Sequence, residues 1–357
     1  MFGRKKKQST VTKERILAAM STVIEPELGR DMVSLNMVRD IEIDDNNVTF
    51  TIMLTTPACP LKHVMQSTSE TALRRDVPEM GKLTIKWDAN VPQNRQISDL
   101  GHSFKNTIAV ASGKGGVGKS TVAVNLAIAL AKSGATVGLL DADILGPNVP
   151  QMMGVTRMPP MKNRKIIPAE NYGVKFFSTA FLVKSDQALV WRGPMLNSAI
   201  RQFLTDVEWG ELDYLIADLP PGTGDAPLSL AQALPLSGAV IVTQPMSVAA
   251  GDALRSIKMF ESLKVPILGV IENMSGELFG SGAGEKLASA NGVDYFGEIP
   301  LDARIRIGGD EGKPITAATP TAPASKAFMA ISQKIAAKVS VLAYQNQANF
   351  IPIEMIG

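Results

Sequence analysis

The run Gly113-Lys114-Gly115-Gly116-Val117-Gly118-Lys119-Ser120-Thr121 places four glycines and two lysines between two apolar segments. Before it stands a strand-like run, Thr107 to Ser112, and after it a stretch apolar on nearly every face, Thr121 to Lys132. Residues of these types at this spacing make a phosphate cradle. Glycines let the backbone approach a polyphosphate and aim its N–H groups inward, and the helix that follows adds the positive end of its dipole. Lys119 then reaches the β- and γ-phosphates, and Ser120 holds Mg²⁺. Gly113 to Thr121 are therefore the candidate ATP-binding residues.

Further acidic or polar segments end other apolar runs and are expected to converge on the same place. Asp141-Ala142-Asp143-Ile144-Leu145-Gly146-Pro147-Asn148 offers Asp143 to orient an attacking water, because phosphoryl transfer needs positioning more than covalent help; the bland alternative is an aspartate that caps the next element. Asp218-Leu219-Pro220-Pro221-Gly222-Thr223-Gly224-Asp225 offers Asp218 as a Walker-B-like carboxylate for Mg²⁺. Gly222, lacking a Cβ, can give its N–H to the γ-phosphate, which makes this segment a candidate switch. Asn273, in Ile271-Glu272-Asn273-Met274, has the donor and acceptor needed to read an adenine edge. Lys114 is an extra cation that an ordinary Walker sequence does not require, and it is expected to neutralise the γ-phosphate. With Lys119 and Asp143 it completes the candidate catalytic set. A second glycine cluster, Gly280 to Gly284, reads as a flexible loop.

The elements that must hold these residues follow from periodicity. From Thr107 onward, continuous apolar runs at Thr136 to Leu140, Tyr214 to Ala217, Ala239 to Thr243 and Ile267 to Ile271 alternate with helical stretches. That pattern predicts an α/β fold with a mostly parallel sheet covered on both faces and ligand at the carboxyl ends of its strands. Near the C-terminus, Phe328, Ile331, Ile335 and Val339 share one face of a helix over Ala322 to Leu342, which suits core packing. Residues 11–88 read as a separate small α+β domain: a helix at Thr12 to Ile24, a hairpin of Val38 to Ile43 with Val48 to Leu54 around the Asp44-Asp45-Asn46-Asn47 turn, a helix over Pro60 to Arg75, and a strand at Lys82 to Trp87. Residues 1–10 are a basic tail, 89–105 a linker and 106–357 the nucleotide domain.

Composition excludes several classes. At 357 residues with a net charge of +2, the chain carries no overall electrostatic footprint for nucleic acid, and the Arg4-Lys5-Lys6-Lys7 run reads as a solvated tail. No apolar stretch approaches the roughly 20 residues of a membrane span, and the N-terminus lacks a signal-peptide core, so a cytoplasmic location is expected. The single cysteine, Cys59, rules out a disulfide within the chain, and neither His63 nor His102 has metal-ligand spacing, so both are expected at the surface.

Taken in order, Gly-Lys-Gly-Gly-Val-Gly-Lys-Ser, Asp-Ala-Asp-Ile-Leu-Gly-Pro-Asn, Asp-Leu-Pro-Pro-Gly-Thr-Gly-Asp and Glu-Asn-Met resemble the Mrp/ApbC family of deviant-Walker P-loop ATPases. Those proteins belong with MinD, ParA, ArsA and the nitrogenase iron protein and are regarded as iron–sulfur cluster carriers. Residues 11–88, with Thr55-Thr56-Pro57-Ala58-Cys59-Pro60, resemble the small domain that precedes such ATPases in iron–sulfur maturation factors. The resemblance implies a homodimer with ATP at its interface, Lys114 contacting the partner subunit's nucleotide, and scaffold and client apoproteins as partners. It also implies a cluster ligated by a Cys-x-x-Cys pair after Glu-Asn-Met, which this chain lacks: Ser275 to Gly284 contains no cysteine. Cys59 is then the remaining thiol for transient cluster binding. With Pro60 as first helical residue it is expected at a helix N-terminus with a lowered pKa; the alternative is a small buried hydrophobe. From a different class, a MinD/ParA-type regulatory or spatial switch, bound to a partner or membrane in its ATP state, is the competing function.

Overall fold

The computed structural model describes residues 10–93, 104–144, 146–182 and 193–348. The basic run Arg4 to Lys7, His102 and most of the expected linker lie outside these residues. The described chain divides into two compact units, Met1–Val91 and Pro92–Gly357.

In the first unit α1 (Lys13–Met20) is followed by the short pair β1 (Ile24–Glu25) and β2 (Arg30–Asp31), then β3 (Val38–Asp44), β4 (Asn47–Leu54), α2 (Lys62–Asp76) and β5 (Leu83–Ala89). Thr12 caps α1 by accepting the Arg15 N–H at 3.4 Å. The helix ends earlier than periodicity suggests, because the chain must turn for Ile24–Glu25 to pair with Arg30–Asp31. β3 and β4 form the expected hairpin, with Asp44 opposite Asn47, and α2 carries the chain over to β5, parallel to β4. Alternation along β4 buries Val48, Phe50, Ile52 and Leu54 in a core with Ile16, Met20, Met65 and Leu73.

The second unit is built of β6 (Phe104–Ala111), α3 (Lys119–Lys132), β7 (Val137–Asp141), α4 (Val149–Met152), β8 (Met161–Lys162), β9 (Lys165–Ile166), β10 (Ala169–Asn171), β11 (Val174–Ser178), α5 (Gly193–Asp206), β12 (Leu212–Asp218), α6 (Asp225–Ala233), β13 (Gly238–Thr243), α7 (Ser247–Ser262), β14 (Ile267–Ser275), α8 (Ala283–Ala290), β15 (Tyr295–Pro300), α9 (Ala303–Asp310), α10 (Ile315–Ala318) and α11 (Pro323–Ala348). Eight strands form one sheet in the order β10-β11-β7-β12-β6-β13-β14-β15. Only the β10–β11 pair is antiparallel. The fold is a mostly parallel P-loop α/β sheet, as the alternation of apolar runs predicts.

Strands β11 and β15 carry weaker signals: β11 is interrupted by Lys175, whose Nζ donates to the Trp209 carbonyl at 2.7 Å, and β15 by Gly297 and Glu298. Helix α3 is buried along most of its length because it packs on the sheet and beneath α11, whose Phe328, Ile331, Ile335 and Val339 are all in the core.

Candidate nucleotide-binding site

The strand order puts the chemistry in one place. β12 lies between β6 and β7, so Asp218 is in register with Val110 on one side and Asp141 on the other, at the carboxyl edge from which the glycine loop departs. Ligand sites of parallel sheets form where successive connections leave in opposite directions, as they do here around β6.

The loop Gly113 to Gly118 turns into α3 with Gly116 and Gly118 at φ 79° and 81°, left-handed conformations that glycine adopts without strain. A Cβ at Gly113 would run into the Asp252 carbonyl of α7, so that glycine serves close packing. The loop's carbonyls are held from behind. Asn273 Nδ2 donates to the Val117 carbonyl at 2.8 Å, and Gln244 Nε2 reaches the Gly116 carbonyl at 3.4 Å.

Lys119, 6 % exposed, points across the cradle. Its Nζ lies 2.6 Å from Asp218 Oδ1, 3.3 Å from Ser120 Oγ and 3.7 Å from Asp143 Oδ2. Asp218 Oδ2 is buried without a hydrogen-bond partner among the described residues. Burial pushes the Asp218 carboxyl above the usual range, against the pull of Lys119 and Ser120. An orphaned carboxylate oxygen beside a serine hydroxyl is a donor set of the hard-oxygen kind that fits Mg²⁺.

Asp141 is a residue that sequence reasoning passed over, although it opens the Asp-Ala-Asp segment at the end of an apolar strand. Its Oδ2 accepts from Ser178 Oγ at 2.8 Å and the Val149 N–H at 3.3 Å, and its Oδ1 from the Asp143 N–H at 3.2 Å. It thereby fixes the loop that carries Asp143. Burial, and after it the charge of Asp218, pushes the Asp141 carboxyl up to about 8. Asp143 itself accepts the Gly146 N–H at 3.3 Å, closing the turn as well as facing Lys119.

Two cavities adjoin. One of ≈ 380 Å³ is lined by Lys114, Gly115, Gly116, Lys119, Ser120 and Asp143. The other, ≈ 240 Å³, has apolar walls from Met274, Pro300, Leu301 and Ile305. Thr121, Asn148 and Met152 line both. A polar chamber for phosphates beside an apolar slot is the shape a nucleoside triphosphate needs.

Other expected residues make contacts that the sequence does not announce. Asn273 lines the apolar slot, yet its amide donates to the Val117 carbonyl, so it braces the loop, and a Cβ at Gly118 would strike that amide. In this structure the Gly222 N–H donates to the Ser112 carbonyl at 2.8 Å, with Gly222 at φ 92°. Pro60 is not the first helical residue, because α2 starts at Lys62, and although the Leu61 and Lys62 N–H groups donate to the Cys59 thiol at the start of that helix, they do not activate it. Burial pushes its thiol up to about 11, the reverse of activation. The segment after Glu272 is also not a loose loop. Gly276 and Gly280 exchange N–H···O bonds of 3.0 and 2.7 Å, and the buried Glu272 accepts the Gly282 and Gly284 N–H groups at 2.8 and 2.6 Å. Among the described residues no group of three or more His, Cys, Asp or Glu side chains is arranged to hold a metal.

Residues 103–336 match the family described as ParA: NUBPL iron-transfer P-loop NTPase. The chain belongs to this family. Residues 13–87 match a second family, described as iron-sulfur cluster assembly protein. The chain is 46 % identical over 351 residues to an iron-sulfur cluster carrier protein from Synechocystis, covering 93 % of this chain and 99 % of the relative. Among solved structures, the nucleotide-binding protein from Archaeoglobus fulgidus in complex with ADP is 40 % identical with a TM-score of 0.52, covering 58 % of this chain and 86 % of that one. The cell-division ATPase MinD from Pyrococcus furiosus, 24 % identical with a TM-score of 0.53 over 64 % of this chain and 98 % of its own, shares the fold. No described helix is long and apolar enough to cross a membrane.

Proposed function

We propose that this protein is a Mg²⁺-dependent ATPase that, as a homodimer, carries iron–sulfur clusters from scaffold proteins to apoprotein clients. The observation that carries the reading is the meeting of Lys119, Ser120, Asp143 and Asp218 at one sheet edge, in a chain that also holds an iron–sulfur assembly domain. The Synechocystis relative described as a cluster carrier spans nearly the same length.

On this reading the amides of Gly115 to Thr121 bind the phosphates, and Lys119 exchanges Asp218 and Asp143 for the β- and γ-oxygens. Ser120 and Asp218 are the residues that would hold Mg²⁺, which would supply neutralisation of charge on the phosphates. Asp143, released from Lys119, orients the water that attacks the γ-phosphorus as the bond to ADP breaks. The Gly222 amide reaches a γ-phosphate only by leaving the Ser112 carbonyl, so the segment Asp218 to Asp225 changes its hydrogen bonding with the nucleotide. Lys114, with no ion pair among the described residues, is the cation to serve a partner subunit's nucleotide.

The cluster is cargo. A single cysteine per chain leaves even a dimer short of four thiolates, so the remaining ligands come from small thiols or from the client. The test is anaerobic reconstitution with iron and sulfide, acid-labile sulfide analysis, and transfer to an apoprotein with and without MgATP. Transfer that this protein accelerates supports the reading; no bound cluster and no effect on transfer overturns it. The apolar face of α11 is buried, which leaves it unavailable to a lipid surface and disfavours the membrane-switch alternative.

A further inference from the structure

The stretch Val155 to Pro168 holds four cations, Arg157, Lys162, Arg164 and Lys165, and no carboxylate, in a chain whose charges otherwise nearly balance. It folds as a two-stranded ribbon in which Met161 pairs with Ile166 and Lys162 with Lys165. The tip residues Asn163 and Arg164 both lie at positive φ, 51° and 63°. Arg164 thus stands where glycine is the unstrained choice for such a turn. Met161 is 66 % and Met158 46 % exposed.

The ribbon is rigidly based. Lys165 Nζ donates to the Thr205 carbonyl at 2.6 Å, Ile166 bridges to Val207, and the Glu208 N–H donates to the Ile166 carbonyl at 2.8 Å. That leaves Arg157, Lys162 and Arg164 exposed and without an ion pair among the described residues, whereas Arg255, Lys258, Arg304 and Arg306 each have a carboxylate. The ribbon is the next paired element after α4, whose Gln151 and Met152 line the candidate nucleotide cavities.

We propose that the β8–β9 ribbon, through Arg157, Lys162, Arg164, Met158 and Met161, is a docking surface for an acidic segment of a partner protein. The argument is charge complementarity joined to adaptable apolar contact: unpaired cations select carboxylates, while methionines shape themselves to varied side chains. Nucleic acid fits less well, because the exposed Glu170, Asp206 and Glu208 flank the ribbon in sequence or at its base and repel a continuous phosphate backbone. A lipid surface fits less well because the ribbon offers methionines only, with no broad apolar face. The surface is defined by charge and shape and stands whether or not the partner accepts a cluster.

The test uses the full-length protein and a fluorescein-labelled peptide repeating Glu-Asp-Leu-Phe. Controls are its Lys-substituted counterpart, duplex DNA and phosphatidylglycerol vesicles. The acidic peptide is expected to bind in a salt-sensitive way. Its affinity should fall by about tenfold or more in the Arg157→Glu/Lys162→Glu/Arg164→Glu variant and by a smaller factor in Met158→Ser/Met161→Ser. Unchanged melting temperature and ATP turnover in both variants establish that they are folded. Equal affinity for native and charge-reversed protein, no binding of the acidic peptide, or binding of DNA or vesicles alone overturns the proposal.

Discussion

Lys119 and Asp218 form a buried ion pair with 2.6 Å between Nζ and Oδ1, on the loop–helix junction and the central strand β12 respectively. The two groups expected to hold phosphate and Mg²⁺ thus neutralise one another. A ligand that draws Lys119 away must bring a counter-charge for Asp218, and a phosphate with its Mg²⁺ brings both signs at once. On the proposed reading, lysine release would accompany arrival of the metal–nucleotide complex.

Lys119→Ala leaves Asp218 and Asp141 adjacent in register and without their cation. Breaking a buried pair by removing one partner costs about 3 kcal/mol or more, so denaturant unfolding should show a lower midpoint, and calorimetry should detect no MgATP binding. A variant with undiminished stability means that the lysine is not the charge that holds this edge together.

For Lys114→Ala, nucleotide affinity should change little while turnover drops by about 10³, the scale of a cation supplied across an interface. Specific activity of the native protein should rise with concentration as dimers form. Turnover per subunit that is constant on dilution and unaltered in the variant removes Lys114 from the trans role.

Asn273→Ala distinguishes a loop brace from a base reader. Loss of the 2.8 Å bond to the Val117 carbonyl loosens the amides that grip phosphate, so affinities for ATP and GTP should weaken together, by about tenfold for one hydrogen bond. A loss confined to ATP assigns the residue to adenine instead.

The Cys59 thiol, raised from 9.0 to about 11, should react with iodoacetamide at neutral pH about 100-fold more slowly than an unhindered thiol of ordinary pKa. Mass spectrometry of timed alkylation measures this. Rapid labelling of the folded protein at pH 7 contradicts the burial that sets the shift.

Burial, with Glu25 nearby, pushes Glu27 from 4.5 up to about 7. The folded state therefore holds a proton that the unfolded chain releases at lower pH, and stability from this site, full below pH 4.5, declines as pH rises towards 7. Thermal melts of Glu27→Gln should lose that slope. An unchanged pH dependence in the variant places the effect elsewhere.

Much of the site was legible because its signals are local. A glycine-lysine-serine run needs only its own backbone to form a cradle, and aspartates at the ends of apolar runs converge wherever the strands are parallel. Residues whose role depends on a distant element were harder to read. Asn273 has the right chemistry for a base, and only the approach of β14 to the loop reveals that Val117 takes its amide. Gln244 carries no local mark at all, yet it reaches the Gly116 carbonyl. The sign of the Cys59 shift was illegible because the amides at the start of α2 do reach the thiol, and only tertiary burial outweighs them.

By itself the sequence determined a glycine-rich turn between strand and helix, a parallel sheet behind it and an α+β unit before it, since glycine spacing and hydrophobic period act over a few residues. Only the tertiary structure decided which charges meet. β12 lies between β6 and β7, so Asp218 faces both Lys119 and Asp141, and burial of that edge raises both carboxyls beside the lysine that pairs with Asp218.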